Sequence, residues 1–458
     1  MLSNLATRDI ETLIHPYTNL ATIRNTGPLV IDRGQGVFLY DTNGKSYIDG
    51  MAGLWCTALG HGNEELIDAA TRQMHRLSFA HLFTAKSHDG AIELAEKIKE
   101  IAPVETSKVF FCNSGSEAND TQIKLVWYMN NALGQPSRKK IISRIKAYHG
   151  VTIAAASLTG LPNNHIDFDL PIAGIFHTSC PHHYRFALPG ETEEQFATRL
   201  AADLEAMILR EGPETVAAFI AEPVMGAGGV IVPPKTYFAK ISEVCRKYDV
   251  YMISDEVICG FGRLGQGFGC ALLGFEAHSI SVAKALTSAY VPMAAVTVPE
   301  VMYQALVDQS RKIGAFGHGF TYSGHPVAAA VALKTLEIYE RDRIPEAAAR
   351  KSPHFLARLS AFGQHPLVGE ARGLGLVGAL ELAADTAFKR PFEPKAGIGP
   401  RAVQFAEEEG LIVRSLAGDV ITLCPPLVIS VEEIDLLFDR LGRALDRTLD
   451  WAKQQQLV

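Results

Sequence analysis

From about residue 105 the chain alternates short β-rich runs with amphipathic helical stretches, and this alternation narrows the possible folds more than any other feature. "KVFFC" leads into "SEANDTQIKLVWYMNNAL"; "KKIISRI" and "TVAAFIAEP" follow, then "YFAKISEVCRKY" before "DVYMISDEV", and finally "SISVAK". Strands separated by helices predict an α/β fold, with a mostly parallel central sheet and helices on both faces. Ligands of such sheets bind outside the carboxyl ends of the strands. The chain's unusual residues fall just after those ends, as a single site requires. From about residue 329 the texture changes to a long helix, "VAAAVALKTLEIYERDR", then "RGLGLVGALEL", "GLIVRSLAGDVITLCPPLVIS" and a terminal helix, which predict a smaller α+β domain. The first sixty or so residues, with a hairpin expected through Asn43-Gly44, are expected to join it. The expected division is 1–60 as an N-terminal segment of the small domain, 61–328 as the large domain and 329–458 as the C-terminal small domain.

Composition removes several function classes. The 458 residues are 47% hydrophobic and 20% charged, enough for a large core. With 43 Lys+Arg against 50 Asp+Glu and no long basic block, nucleic acid is not an expected partner. "MLSNLATRDIETLIHP" carries acidic residues and no apolar run of signal-peptide length, and no stretch approaches about eighteen uncharged apolar residues. No membrane contact and a cytoplasmic location are expected. Cys56, Cys112, Cys180, Cys245, Cys259, Cys270 and Cys424 are scattered, without a C-x-x-C pair. They read as reduced packing residues, with no metal site expected.

"GFGRLG", Gly260 to Gly265, matches the G-x-G-x-x-G fingerprint of a dinucleotide-binding turn. That fingerprint needs a strand before it, a helix straight after it and an acidic residue about twenty positions on. "VYMISDEV" supplies the strand. After Gly265 the chain runs "QGFGCALLGFEAH", with three more glycines and too little room for a helix before "SISVAK". Asp255 and Glu256 also put negative charge just ahead of the supposed phosphate loop. A nicotinamide-dependent oxidoreductase is therefore disfavoured, and a flexible loop turning away from the sheet is expected instead.

The better anion site is "NSGSEAND", residues 113–120, which opens a helix whose apolar positions Ala118, Leu125, Met129 and Ala132 share roughly one face. Ser114 and Glu117 have capping-box spacing. Free N–H groups at the positive end of the helix attract an anion, and Gly115 lets a phosphate approach the backbone closely. Twenty-nine residues beyond Asp255, "SISVAK" closes on Lys284. A lysine ending a buried-type strand is costly unless paired or chemically used, and a lysine of lowered pKa forms Schiff bases with carbonyl compounds. A phosphate cradle, such a lysine and a strand-end acid together meet the demands of pyridoxal 5'-phosphate (PLP). Asp255 is preferred to Glu256 as that acid because it follows the apolar run and shares a strand face with Val257. Opposite unit charges about 4 Å apart are worth roughly 4 kcal/mol at an effective dielectric near 20. At about 1.36 kcal/mol per pKa unit, a carboxylate there raises the pyridine nitrogen's pKa by about three and keeps the ring protonated.

These residues resemble the class III (omega) aminotransferases of the amine:pyruvate type, PLP-dependent transferases of fold type I (aspartate aminotransferase-like). "GMAGLWCTALGHG", "NSGSEAND", "AYHG", "AEPVMGAGGV", "SDEVICGFGRLG", "VAKALTSAYVP", "GFTYSGHP" and "RGLGLVGALEL" look like that family's blocks in its order. The resemblance implies that Gly115 and Ser116 hold the phosphate, Tyr148 stacks on the pyridine ring and Val257 packs on its other face. It implies that Asp255 pairs with the ring nitrogen and Lys284 carries the cofactor. Thr321 is expected to reach the phosphate of the neighbouring subunit, and Glu222 to support the site from behind. A homodimer with shared sites follows, with a tetramer left open. The family usually has glycine where this chain has Ala285, and an acid where it has His278, which reads as structural.

The implied reaction is transamination in two ping-pong halves through pyridoxamine phosphate, with Lys284 and Asp255 as the catalytic pair. By the same resemblance Trp55, beside Cys56, lines the substrate pocket, where Ala227 leaves room; Phe83 and Tyr148 are expected to add aromatic wall. Arg414, a single cation in the apolar "GLIVRSL", is implied as a mobile arginine that forks onto a keto-acid carboxylate and swings away for donors without one. The expected donor is a primary amine or omega-amino acid, taken with (S) selectivity, and the expected acceptor is pyruvate. An aminomutase or decarboxylase on the same scaffold keeps every motif but turns over without an amino acceptor. A non-catalytic binding protein has little use for Lys284.

Overall fold

A computed structural model describes residues 3–458; Met1 and Leu2, the start of the segment 1–60, lie outside the described part. After helices Asn4–Thr12 and Leu20–Thr26 the chain forms a ribbon of β1 (Ile31–Gln35), β2 (Phe38–Asp41) and β3 (Ser46–Asp49). The expected hairpin joins β2 to β3. Asp41 Oδ1 accepts the N–H groups of Asn43 (2.8 Å) and Lys45 (3.0 Å), and Gly44 takes a φ of 83° that a β-carbon would disfavour.

The central sheet comprises β4 (Lys108–Cys112), β5 (Lys140–Arg144), β6 (Ile175–Thr178), β7 (Val216–Ala221), β8 (Tyr251–Asp255), β9 (Ser279–Val282) and β10 (Ala294–Val298). Its order is β4-β10-β9-β8-β7-β5-β6, with β10 the single antiparallel strand. Every strand expected from the sequence forms; β6 and β10 were not foreseen. Successive side chains enter opposite cores, as the two-residue period of a strand requires. Ile141, Ala218, Ile220 and Ile253 pack with Ala118, Leu125 and Val126 of the helix Gly115–Ala132. Their neighbours Ile142, Phe219, Ala221 and Met252 pack with Phe196, Leu204, Phe238 and Ile241 of the helices Glu193–Glu211 and Tyr237–Lys247. The parallel strands thus end on one edge, and the loops leaving that edge carry residues 113–116, 145–150, 222–230, 256–258 and 284.

Beyond the helix Pro326–Arg341 come β11 (Val368–Leu374), β12 (Val377–Leu382), β13 (Leu411–Ile412), β14 (Arg414–Leu416) and β15 (Val420–Leu423), then the terminal helix Val431–Gln454. β11, β12, β15 and β14 form an antiparallel sheet, whereas β13 pairs in parallel with β3 and ties the two ends of the chain together.

The run 260–265 departs from expectation. It is not a free loop: Phe261, Arg263 and Leu264 are buried, and added β-carbons at Gly262 and Gly265 would stand 3.0 and 3.3 Å from Pro345 and Ala349 backbone atoms. A one-turn helix, Gly269–Leu273, does fit before β9, contrary to the sequence reading. The Glu256 carboxylate accepts its first N–H groups, from Gly269 (2.9 Å) and Cys270 (2.6 Å), so the helix end that a pyrophosphate would need is already filled. Among the described residues no helix is long and apolar enough to cross a membrane.

Candidate active site

The site begins where β4 gives way to its helix. Ser114 Oγ accepts the N–H of Glu117 at 3.2 Å, but the return half of the expected capping box shifts by one residue. Glu117 Oε2 takes the N–H of Asn113 (2.7 Å) and its side-chain amide (2.9 Å). The N–H groups of Gly115 and Ser116 lie in the first turn, where no intrahelical acceptor exists. Glycines line this cradle from both sides: an added β-carbon would stand 3.0 Å from Val257 at Gly115 and 2.5 Å from Ser116 Oγ at Gly150.

Across a cavity of about 130 Å³ lie Asp255, Glu222, Tyr148, Val257 and Lys284, with Asn119, His149, Gly150 and Ile258 completing the wall. Asp255 Oδ2 accepts from Asn119 Nδ2 (2.7 Å) and faces His149 Nδ1 (2.8 Å), while Oδ1 accepts the N–H of Val257 (3.1 Å). The carboxylate is thereby fixed at the carboxyl end of β8. Glu222 Oε1 accepts the N–H of Tyr148 and Oε2 that of Gly226, each at 3.0 Å, and burial pushes its carboxyl pKa up. Partial burial likewise pushes the Tyr148 phenol up. Lys284 opens a short turn after β9 with φ 50°, and burial holds its amine below the usual lysine range, against the pull of Cys56, Asp255 and Glu222.

Trp55 links this cavity to the small sheet. The residue is 4% exposed; Lys284 Nζ lies 5.7 Å from the ring centroid and Arg414 Cζ lies 5.5 Å from it. The Tyr17 ring also lies near Arg414, its centroid 5.6 Å from Cζ, and packs edge-on against Tyr148. Ala227 packs into the same apolar cluster as Trp55. Burial lowers the Arg414 pKa, and among the described residues no carboxylate pairs with it. Cys56 Sγ bonds the Ala52 carbonyl at 3.4 Å, and burial raises its pKa.

Two expected site residues stand elsewhere in the chain. Phe83 is 46% exposed, and its ring covers Gly319, at a separate cavity of about 710 Å³. Thr321 is exposed two residues further on. The two departures from the family pattern are absorbed locally. Ala285 needs no left-handed backbone, and its carbonyl accepts from Tyr339 Oη at 2.6 Å; His278 Nδ1 accepts the N–H of Met252 at 2.9 Å, and its ring stacks on Tyr251. Sequence reasoning passed over Asn119, His149 and Tyr17. Asn119 could have been found as a polar residue one helical turn beyond Gly115, on the cradle's face.

His182, Glu370 and Glu381 bring three potential metal-ligand atoms within 4.8 Å of one another. Arg372 lies 2.5 and 2.6 Å from the two glutamates, and Arg185 bonds Glu381, so guanidinium groups already balance this trio.

An α/β sheet with a helix-start cradle, a buried carboxylate and a desolvated lysine at one edge defines a fold type I PLP enzyme. The model of the aminotransferase class-III family matches residues 21–445. A gamma aminobutyrate transaminase of Solanum lycopersicum, named chloroplastic, is 51% identical over 95% of this chain and 84% of its own length. The omega transaminase from Pseudomonas jessenii, solved in complex with PMP, is 54% identical with a TM-score of 0.96, over 98% of this chain and 99% of that one. A thermostable omega transaminase variant engineered for asymmetric synthesis of enantiopure bulky amines, with a tryptophan, a phenylalanine and an arginine replaced, has the same identity and TM-score, over 98% and 100% of the two chains. The chain belongs to the class III aminotransferases, PLP-dependent enzymes that move an amino group from an amine donor to a keto-acid acceptor.

Proposed function

We propose that this chain is an omega-transaminase that transfers an amino group from a primary amine or omega-amino acid to pyruvate in two ping-pong half-reactions. The observation that carries this reading is Arg414, a desolvated guanidinium between Trp55 and Tyr17, one ring away from the Lys284 amine. Such a cation recognises a small carboxylate through paired hydrogen bonds. The replaced tryptophan, phenylalanine and arginine of the engineered neighbour fall in the same order and at the same separations as Trp55, Phe83 and Arg414, which supports their place in the substrate pocket. The name of the tomato relative supports omega-amino acids among the donors.

When bound, PLP supplies an aldehyde and an electron sink for breaking a bond beside nitrogen. The chain's own groups do the rest. Gly115 and Ser116 N–H groups would receive the phosphate, Tyr148 and Val257 would flank the ring, and Glu222 fixes the Tyr148 backbone. Asp255, held by Asn119 and His149, would pair with the ring nitrogen. Lys284, whose amine burial has made easier to deprotonate, moves the proton at the substrate carbon. Phe83 and Thr321 serve the site of a second copy, in a homodimer with shared sites. The division into 1–60, 61–328 and 329–458 belongs to the same proposal and is supported by the β3–β13 pairing. All seven cysteines are free, as a reducing compartment keeps them. The cytoplasm meets that condition, and so does the organelle in the tomato relative's name.

The test is the absorbance of the PLP-loaded protein, which an amine should bleach and pyruvate restore. Arg414→Ala should raise the KM for pyruvate by about tenfold or more, the worth of a charge-assisted pair, and leave the KM for an amine without a carboxylate nearly unchanged. An unchanged pyruvate KM removes Arg414 from carboxylate binding. Turnover without any acceptor points to an aminomutase or decarboxylase.

A further inference from the structure

Trp55 stands between the site's two cations, and the turn that presents it is held by a carboxylate that the chemistry above does not use. Asp49 ends β3 and is completely buried. Its Oδ1 accepts the N–H of Met51 at 3.1 Å; its Oδ2 accepts the N–H of Gly53 at 2.7 Å and faces His61 Nε2 at 2.8 Å. Within the turn so gripped, Ala52 (φ 44°), Gly53 (65°) and Trp55 (58°) all adopt left-handed backbone. Ala52 and Trp55 carry β-carbons that disfavour this conformation, so the turn persists only because its surroundings over-determine it. The same residue is in register with β13, the strand just before Arg414's: Asp49 pairs with Ile412, and the Gly50 N–H donates to the Ile412 carbonyl at 2.9 Å, two residues before the arginine opens β14.

We propose that Asp49, oriented by His61, is a positioning residue for substrate size: by gripping the Met51 and Gly53 N–H groups it fixes the Trp55 ring between Lys284 and Arg414, and so limits the bulk of amine the site accepts. This rests on the reading that Trp55 walls the substrate pocket. Replacing the carboxylate by an amide turns an NH₂ group toward N–H donors, and a buried mismatch of that kind releases the turn.

The experiment compares kcat/KM for 1-phenylpropylamine with that for 1-phenylethylamine, pyruvate as acceptor, in the wild type, Asp49→Asn, Trp55→Ala and the double variant. The ratio should rise about tenfold in Asp49→Asn, the worth of one methylene in an apolar pocket. It should rise comparably in Trp55→Ala and no further in the double variant, because Asp49 acts only through the ring. A second readout needs no turnover: the near-ultraviolet circular dichroism of the apoprotein. The band that Trp55→Phe removes should also weaken in Asp49→Asn. An unchanged ratio with an intact band overturns the proposal. If Asp49→Asn does not fold, His61→Ala should shift the ratio while His61→Gln, whose amide still donates to Asp49, restores it; equal behaviour of the two overturns it. If the wild type takes neither amine, the substrate reading fails instead, and the dichroism comparison alone decides for or against Asp49.

Discussion

At Lys284 burial and chemistry pull in opposite directions. The cavity disfavours the ammonium form, and the nearby acidic groups only partly compensate. Its left-handed backbone adds a cost of about 1 kcal/mol or more. Lys284→Met keeps the length of the side chain and removes the charge, so it should abolish amino transfer and raise the apoprotein's melting midpoint, by roughly 1 °C for each kcal/mol of burial penalty removed from a chain of this length. The sign follows from linkage. A folded-state pKa below the unfolded one penalises the protonated lysine, fully below that lowered value and not at all once pH has risen through the ordinary lysine value near 10.4. The stability gain should therefore shrink between neutral pH and about pH 10.5. Melting curves of the two apoproteins across that range check it; equal midpoints at neutral pH would show that the amine carries no burial penalty. Lys284 and Asp255 were legible in sequence because a charge closing an apolar strand is anomalous by itself. Asn119 was legible only through its spacing from Gly115, and His149 not at all, since a histidine in a loop becomes informative only when the ends of β5 and β8 are seen side by side.

The cradle shows how elements cooperate. The helix start supplies N–H groups, but the facing loop decides whether an anion reaches them, and Gly150 is its tightest point, with φ 136° and no room for a β-carbon beside Ser116. Gly150→Ala must displace Ser116 or the loop, and strain of about 1–3 kcal/mol at this contact should weaken PLP binding about tenfold or more. Titration of the apoprotein with PLP measures this, with Gly134→Ala, a turn glycine open to space at φ 74°, as the control for backbone strain alone. A PLP affinity no weaker than the control's would mean that the cradle does not depend on this approach. Element prediction succeeded for β7 and β9, buried throughout, where the following "EP" and the closing Lys284 mark the strand ends. It failed for β6, a four-residue edge strand containing a histidine, and for β10, whose equally buried "AAVTV" ends on no such marker. The helix Gly269–Leu273 was missed because its cap, Glu256, lies thirteen residues upstream, beyond any local capping pattern.

For the whole molecule, the question is what Phe83 and Thr321 do so far from Lys284. Phe79, Phe83 and Tyr322 are 41%, 46% and 59% exposed beside the exposed Thr321, an aromatic surface that a second copy would cover. The resemblance implies that Thr321 reaches the phosphate of the neighbouring subunit, an expectation that the geometry of one chain does not test. Complementation decides. Lys284→Ala disables a chain's own lysine, and Thr321→Glu sets a carboxylate against the phosphate it is expected to touch, so each homodimer should be inactive. In a twofold assembly with shared sites, the mixed dimer holds one site with both defects and one with neither. Random pairing on co-expression makes about half the dimers mixed, so about a quarter of the wild-type activity per chain should return. Isolating the mixed dimer with two different tags should double that figure. If Thr321 serves its own chain's site, every site in every dimer carries a defect and no activity returns.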